Sequence, residues 1–287
     1  MILCFDIGGS RIKAGHSSAG IVTAMGEVAT PLTDLAQFGA ALRQFVRPGQ
    51  RGVAISVTGV VDGVTGRAKV ANIPCLDGVL VAQELAAMLG LPVVVRNDAD
   101  CFAMAEMAQG AARGHENVFA IILGSGVGGG LIVGGRLVAG TGGFSGEWGH
   151  GPVIRDPSFA CGCGQTGCLD TVGSARGLER LHKHLTGETA VSETILRLWQ
   201  AGQPMPAVDL WLDLVSGVLA MVVNLVGASV VPVGGGLGNV PALIAALDHA
   251  VRARILRRTD APLVVPAQIS VDAGLIGAAA VGEQTYG

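Results

Sequence analysis

Three observations predict an α/β protein built in two halves. Short apolar runs alternate with amphipathic stretches along the whole chain, glycine-rich clusters fall at the ends of the apolar runs, and half of the 287 residues are hydrophobic while only 14% are charged. Alternation of this kind specifies strands covered by helices. A chain of this length holds one large domain or two ordinary ones, with ample core.

In the first half, Ile2–Ile7 and Arg11–His16 read as two strands joined by the turn Gly8-Gly9-Ser10, with a third strand over 22–28. Backbone N–H groups at Gly8, Gly9 and Ser10 can cradle a phosphate, and Asp6 can hold Mg2+. An ordinary hairpin with a polar tip reads the same way. Residues 35–46 place apolar side chains at 35, 38, 42, 45 and 46, a helical stripe. A strand over 52–57 runs into the loop Thr58–Gly63. A helix over 79–89 ends at Gly90 with Pro92 beyond, and a strand over 93–96 follows. Asn97 and Asp98 then stand between that strand and a helix over 99–112, where α/β folds place working residues; Asp98 also suits a helix N-cap.

A second series opens after Arg113–Asn117 with a strand over 118–123. Gly124-Ser125-Gly126-Val127-Gly128-Gly129 matches the dinucleotide fingerprint G-x-G-x-x-G. That fingerprint must open a helix, whereas 130–133 reads as a strand, so a dinucleotide fold is rejected. Another strand covers 136–138. Helices follow over 175–185, 193–201 and 208–228, then a strand over 230–233 and the turn Gly234-Gly235-Gly236-Leu237-Gly238. A helix over 241–256, a strand over 263–269 and a helix over 273–281 complete the chain, leaving Tyr286 in a frayed tail.

Between the two glycine turns of this half lies the stretch Gly142–Asp170. Cys161, Cys163 and Cys168 form C-x-C-x4-C, and His150 precedes them. Three thiolates and one imidazole make a closed tetrahedral zinc site, and the intervening glycines let the backbone wrap around an ion. Free thiols or one disulfide are the alternatives; a disulfide does not suit a cytosolic chain. With one nitrogen of His150 on zinc, the other faces outward, flanked by Glu147 and Asp170, as a rigid polar wall for a polyhydroxylated ligand.

Composition bounds the partners. Net charge is −3 with no basic run, which argues against nucleic acid. The N-terminus lacks a basic region and meets Asp6, so it does not read as a signal peptide. The longest apolar run, 218–233, contains Asn224 and Pro232 and reads as a buried helix plus strand, giving no membrane span. The implied compartment is the cytoplasm. Cys4, Cys75 and Cys101 read as packed thiols. His16, His115, His182, His184 and His249 read as surface or capping groups, and Asp100 and Glu106 as solvated helix residues. Arg11 and Lys13 lie near the phosphate turn or simply on a hairpin surface.

Three glycine turns after strands, one aspartate at a strand end and one polar wall make the inventory of a phosphotransferase. The motifs D-I-G-G-S, N-D-A-D, L-G-S-G-V-G-G-G, G-E-W-G-H, C-G-C-G-Q-T-G-C-L-D and V-G-G-G-L-G occur in an order that resembles the repressor–open-reading-frame–kinase (ROK) family of sugar kinases, over residues 2–280. The resemblance implies a two-lobed actin-like, ribonuclease H-like ATPase fold with a zinc-bound loop and ATP in the cleft. It implies a small sugar- and phosphate-binding lobe, 1–115 plus the helix 272–287, and a large nucleotide- and zinc-binding lobe, 116–271. Asp98 is then the general base, and Gly59, Asn97, Asp98, Glu147, His150 and Asp170 hold the sugar. Asp6, Gly8, Gly9, Ser10, Gly124, Ser125, Gly126, Gly128, Gly234, Gly235 and Gly236 bind ATP and Mg2+. His150, Cys161, Cys163 and Cys168 bind structural Zn2+. Asp170 stands where the family usually has Glu, Ser10 replaces the usual Thr, and Val57-Thr58-Gly59 replaces a common Pro-Gly pair.

The implied reaction is transfer of the γ-phosphoryl group to a sugar 6-hydroxyl, with lobe closure excluding water. N-D-A-D-C-F-A and C-G-C-G-Q look most like bacterial N-acetylglucosamine kinases, while the stretch 53–59 leans toward N-acetylmannosamine kinases; glucokinases and fructokinases share every catalytic motif. The resemblance suggests a homodimer. A family repressor would carry a helix-turn-helix segment ahead of the phosphate hairpin, which here begins at residue 2. A sugar-binding regulator without turnover is disfavoured by Asp6, Asp98 and the three glycine turns.

Overall fold

The structure is a computed structural model that describes residues 1–62 and 64–287; Gly63, the end of the expected 58–63 loop, lies outside the described residues. It divides into two compact units. Unit 1 comprises Met1–Arg113, Leu137–Ser145 and Ile269–Gly287, and unit 2 comprises Gly114–Arg136 and Gly146–Gln268.

Unit 1 begins β1 (Ile2–Ile7), β2 (Arg11–Ser18), β3 (Ile21–Ala29), α1 (Leu35–Arg43), β4 (Gly52–Val57), β5 (Val60–Val61), β6 (Ala68–Lys69), α2 (Val81–Leu89), β7 (Val93–Asn97) and α3 (Asp98–Gln109). The second series runs β8 (Val118–Leu123), β9 (Val127–Val133), β10 (Arg136–Leu137), α4 (Asp170–Gly173), α5 (Ala175–Thr186), α6 (Ser192–Gln200), α7 (Pro206–Val226), β11 (Val231–Gly234), α8 (Pro241–Arg252) and β12 (Val264–Pro266), and α9 (Ala273–Tyr286) returns to unit 1.

Each series builds a five-stranded sheet, β3-β2-β1-β4-β7 and β10-β9-β8-β11-β12. In both, the first two strands form an antiparallel hairpin and the first strand continues into two parallel neighbours. One strand order is therefore made twice from two sequences that show no internal repeat.

The parallel strands β1 and β4 are buried nearly throughout, because helices cover both faces of the sheet. Phe5, Phe38, Leu42, Ile55 and Leu85 fill one side of unit 1. On the other, α9 packs Leu275, Ala278 and Ala279 against Ile2, Cys4, Ala54 and Cys101. Gly277 lets α9 touch the backbone of α3, since a Cβ there would overlap the Cys101 carbonyl. In unit 2 the core centres on Trp211, fully buried, whose Nε1 donates to the Gly173 carbonyl at 3.0 Å. The long apolar helix α7 has the length and composition to cross a membrane, but one face lines this core through Val208, Trp211, Val215, Leu219 and Val223.

Several elements differ from expectation for identifiable reasons. The 58–63 stretch is not all loop: Val60–Val61 pairs with Ala68–Lys69 in a two-stranded ribbon. Tyr286 is not frayed; α9 continues to it because its ring lies over Gly52, where a Cβ would come within 2.5 Å. Glu106 and Asp100 are not solvated. Both are buried, and Glu106 accepts the N–H groups of Ile269 and Ala111 at 2.8 and 2.7 Å. His115 is paired, its Nδ1 lying 2.8 Å from the Ser229 hydroxyl, and His182 is buried. Asn97, not Asp98, caps α3: its Oδ1 accepts the Asp100 N–H at 2.6 Å.

Candidate active site and metal centre

In unit 1, three parallel strands end side by side, and each carries a polar residue one place before its end. Asp6 on β1 is register-paired with Ser56 on β4, and Ser56 with Arg96 on β7, so Asn97 and Asp98 follow at the same edge. Asp98 opens α3, its Oδ1 accepting the Ala99 N–H at 3.0 Å. Its side chain reaches water, yet surrounding protein strips enough solvent to raise its pKa above the ordinary carboxylate value. The Asp6 charge adds to that rise, while the Ala99 and Asp98 N–H groups and the Thr58 hydroxyl oppose it. Asp6 is raised too, first by burial and also by Asp272, against the pull of Ser56 and Lys13.

A cavity of about 270 Å³ opens beside Asn97, walled by Val61, Val95, Asp100, Gly140 and Gly143. The segment Leu137–Ser145 thus belongs with unit 1, where Gly143 packs on the ribbon: a Cβ there would come within 2.5 Å of the Val61 carbonyl. Gly59 is the glycine whose absence of a side chain matters most here. Its φ is +145°, and a Cβ would stand 2.6 Å from the Lys69 carbonyl. A larger hollow of about 690 Å³ lies against the tip of the β2–β3 hairpin, lined by Ile21, Leu275 and Ile276 among others, and contains none of the predicted site residues. At the Gly8–Ser10 turn, the Gly8 N–H closes the hairpin onto the Arg11 carbonyl at 3.0 Å, and Gly9 and Ser10 form the bend.

In unit 2, two of the expected glycine turns meet. Gly235, at φ +81°, lies against Leu123 and Gly124, where a Cβ would sit 2.6 Å from the Leu123 carbonyl carbon. Gly234 ends β11, and Gly236 leads into a short 3-10 turn at Leu237–Asn239. Ser125 and Gly126 form the bend after β8, which the Gly124 N–H closes onto the Gly126 carbonyl at 3.0 Å.

Gly128 departs from the expected cradle, because the turn stops at Gly126. Val127 onward is strand β9, with Gly128 paired to Ile122 and its carbonyl accepting the Trp148 indole N–H at 2.9 Å. The triple glycine here is a bare strand on which the next segment lies. A Cβ at Gly129 would come within 2.9 Å of both the Gly146 carbonyl and the Trp148 ring.

That segment carries the four candidate metal ligands. His150, Cys161, Cys163 and Cys168 present atoms that all lie within 4.8 Å of one another. Cys161 Sγ is 3.7 Å from His150 Nδ1, and Cys163 Sγ is 3.6 Å from Cys168 Sγ. Tetrahedral zinc with Zn–S of about 2.3 Å and Zn–N of about 2.0–2.1 Å needs edges of roughly 3.6–3.8 Å. Those two separations fit, and they are far too long for a disulfide. The Gly151 N–H points to Cys168 Sγ at 3.4 Å, as a donor to thiolate would. Left-handed Gly164 and Gly167 turn the chain between the cysteines. The Gln165 N–H leads the effects that lower the exposed Cys163 thiol to about 7, while burial leads those that raise Cys161 to about 11.

With Nδ1 toward the thiols, His150 Nε2 faces the Glu147 carboxylate at 3.9 Å. Asp170 is only partly where the sequence reading put it. Its N–H donates to the Gly149 carbonyl at 2.8 Å, but its Oδ1 accepts the Val127 N–H at 2.7 Å, at the foot of the glycine turn. The shorter aspartate side chain therefore ties the metal segment to β9. Sequence reasoning missed Asp272 and Gly274 at the start of α9, where a Cβ on Gly274 would overlap the Asp6 carboxylate. Their signal was the V-D-A-G step into a small-residue helix.

The ROK family pattern matches residues 2–285. The chain is 32% identical to N-acetylgalactosamine kinase AgaK of Shewanella sp. (strain ANA-3), over 96% of this chain and 95% of the relative. It is likewise 32% identical to N-acetyl-D-glucosamine kinase of Pasteurella multocida (strain Pm70), over 96% and 97%. Among solved structures, the ROK hexokinase from Thermus thermophilus superposes with a TM-score of 0.87 at 30% identity, over 99% of this chain and 98% of that one. A ROK family glucokinase from Streptomyces griseus in complex with glucose and AMPPNP superposes with a TM-score of 0.74 at 29% identity, over 99% of each. Its two like-ordered sheets, its Cys3His cluster and these matches make the chain a member of the ROK family.

Proposed function

We propose that this protein is an ATP-dependent sugar kinase that phosphorylates the 6-hydroxyl of a hexose, with N-acetylglucosamine as its substrate. The observation that carries the reading is Asp98, a carboxylate of raised proton affinity at the end of β7, one residue from Asn97 and its cavity. Asp98 takes the hydroxyl proton as the sugar oxygen attacks, a contribution of roughly 10²–10⁴ in rate. Gly59, Asn97, Glu147, His150 and Asp170 are the residues proposed to bind the sugar. Zinc keeps the His150 ring fixed so that Nε2 remains a ligand-facing group.

The glycine turns at 8–10, 124–126 and 234–236 bind the nucleotide. Asp6 is placed to hold Mg2+, which when bound neutralises developing phosphate charge. An acetamido sugar is favoured by the relatives named for such substrates, and N-acetylglucosamine by those named N-acetyl-D-glucosamine kinase. A cytoplasmic homodimer completes the reading. The dimer is supported by apolar side chains that α7 leaves in water, Met221 at 57% and Leu225 at 82% exposure.

The test is coupled-assay turnover on a panel of N-acetylglucosamine, N-acetylgalactosamine, N-acetylmannosamine, glucose and fructose. N-acetylglucosamine is expected to show the highest kcat/KM. Asp98→Asn is expected to lower kcat by about 10² or more while sugar binding persists. Wild-type turnover by that variant would remove Asp98 from the mechanism.

A further inference from the structure

We propose that Lys13 is a phosphate-contacting residue of this enzyme, held by Asp272 until nucleotide arrives. The inference deepens the kinase reading and rests on it. Lys13 and Asp6 are direct cross-strand partners on β2 and β1, so both side chains stand on the same face of the sheet, just behind the Gly8–Ser10 turn. Residues in register across a sheet share a face, and the row continues outward to Glu27 and inward to Ser56.

Lys13 Nζ does not settle on Asp6. It reaches Asp272 Oδ1 at 2.7 Å. Asp272 occupies the N-cap position of α9 but caps nothing with its side chain, and its backbone is left-handed at φ +57°, unusual for a residue with a side chain. The first turn of α9 then runs so close to Asp6 that residue 274 must lack a Cβ. One ammonium, two carboxylates and the N-terminal end of a 14-residue helix thus converge behind the hairpin turn.

Charge decides what this cluster does. Both members of the Lys13–Asp272 pair remain over a third exposed, and ion pairs of that kind are weak and readily exchanged. A triphosphate carries more negative charge than one carboxylate, so the ammonium transfers to it with little loss. The freed Asp272 carboxylate remains solvated. The neighbourhood of Asp272, Asp6 and Glu27 raises the affinity of Lys13 for its proton, so it meets the phosphate as a cation. The sequence alone left Lys13 as either a hairpin-surface charge or a phosphate neighbour; Asp272 and the register favour the second.

The experiment pairs kinetics with binding. Lys13→Met is expected to raise KM for MgATP about tenfold or more, the size of a lost charge-assisted hydrogen bond, with the sugar KM unchanged. Lys13→Arg should restore KM to within about threefold of wild type. Asp272→Asn keeps Lys13 and removes its resting partner, so KM for MgATP should stay the same or fall. Calorimetric titration with a non-hydrolysable ATP analogue, with and without Mg2+, should show the same ranking. That titration reads Lys13 even if no sugar in the panel is phosphorylated, so failure of the kinase reading is distinguishable. Equal nucleotide affinity in Lys13→Met and wild type overturns the proposal. So does an equal loss of affinity in Lys13→Met and Asp272→Asn alongside matched drops in Tm, which would make the pair a strut.

Discussion

Asp98 feels the Asp6 charge at the same end of the sheet, and both hold protons more tightly than free aspartate. The sign of each consequence follows. As the proposed base Asp98 must be ionised, so kcat/KM should fall on the acid side at a pH above the ordinary carboxylate value of about 3.9. A pH–rate profile whose acid limb sits at or below that value would contradict the assignment. Stability runs the other way. A carboxyl whose native pKa is raised favours the protonated native state, so its penalty is full above the native pKa and vanishes as pH falls to the unfolded value. Asp6→Asn should therefore melt above wild type at pH 8, and the gap should close toward pH 4. At this scale, residue type and spacing singled out Asp6, Asn97 and Asp98 as candidates, because a polar residue at the end of an apolar run is visible in the chain itself, and Glu147 and His150 by their place beside the cysteines. Glu106 and the Lys13–Asp272 pair were not visible. Their partners lie 163 and 259 residues away, and nothing local marks a helix glutamate as buried.

The Cys-rich segment was the most legible element, since C-x-C-x4-C with left-handed glycines builds its own turn. Metal analysis should find about one zinc per wild-type chain, and Cys161→Ser should lose it, lower Tm, and raise the sugar KM by releasing His150. Unchanged sugar KM in a zinc-free Cys161→Ser protein would separate the metal from the sugar wall. Glycine strings were the least legible element. Gly124–Gly130 looks uniform, but only its first three residues turn; the rest pair in β9, because strand pairing with Ile121 and Ile122 outweighs the low strand preference of glycine. Element ends moved for similar reasons of context. β12 stops at Pro266, its last residue paired to β11, and the seat that Gly52 offers Tyr286 extends α9.

Across the whole molecule, two sheets of identical strand order arise from halves with no detectable repeat. Alternating strands and helices made the class readable, but sheet order depends on which strands pair, and that is written in long-range contacts. The surface of unit 2 carries the remaining prediction. Leu225 and Met221 lie one turn apart on α7, and light scattering should find a dimer that Leu225→Glu weakens. A dimer unaffected by that change would place its interface elsewhere.

The featureless stretch of β9 has an evolutionary corollary. Because Gly146 and Trp148 rest directly on Gly129, the height of the imidazole above the sheet is set by an empty space, and no substitution can lower it further. Adaptation toward a bulkier carbohydrate is closed from beneath. It has to come from positions such as Val61 and Val95 at the Asn97 cavity, where there are side chains to trim.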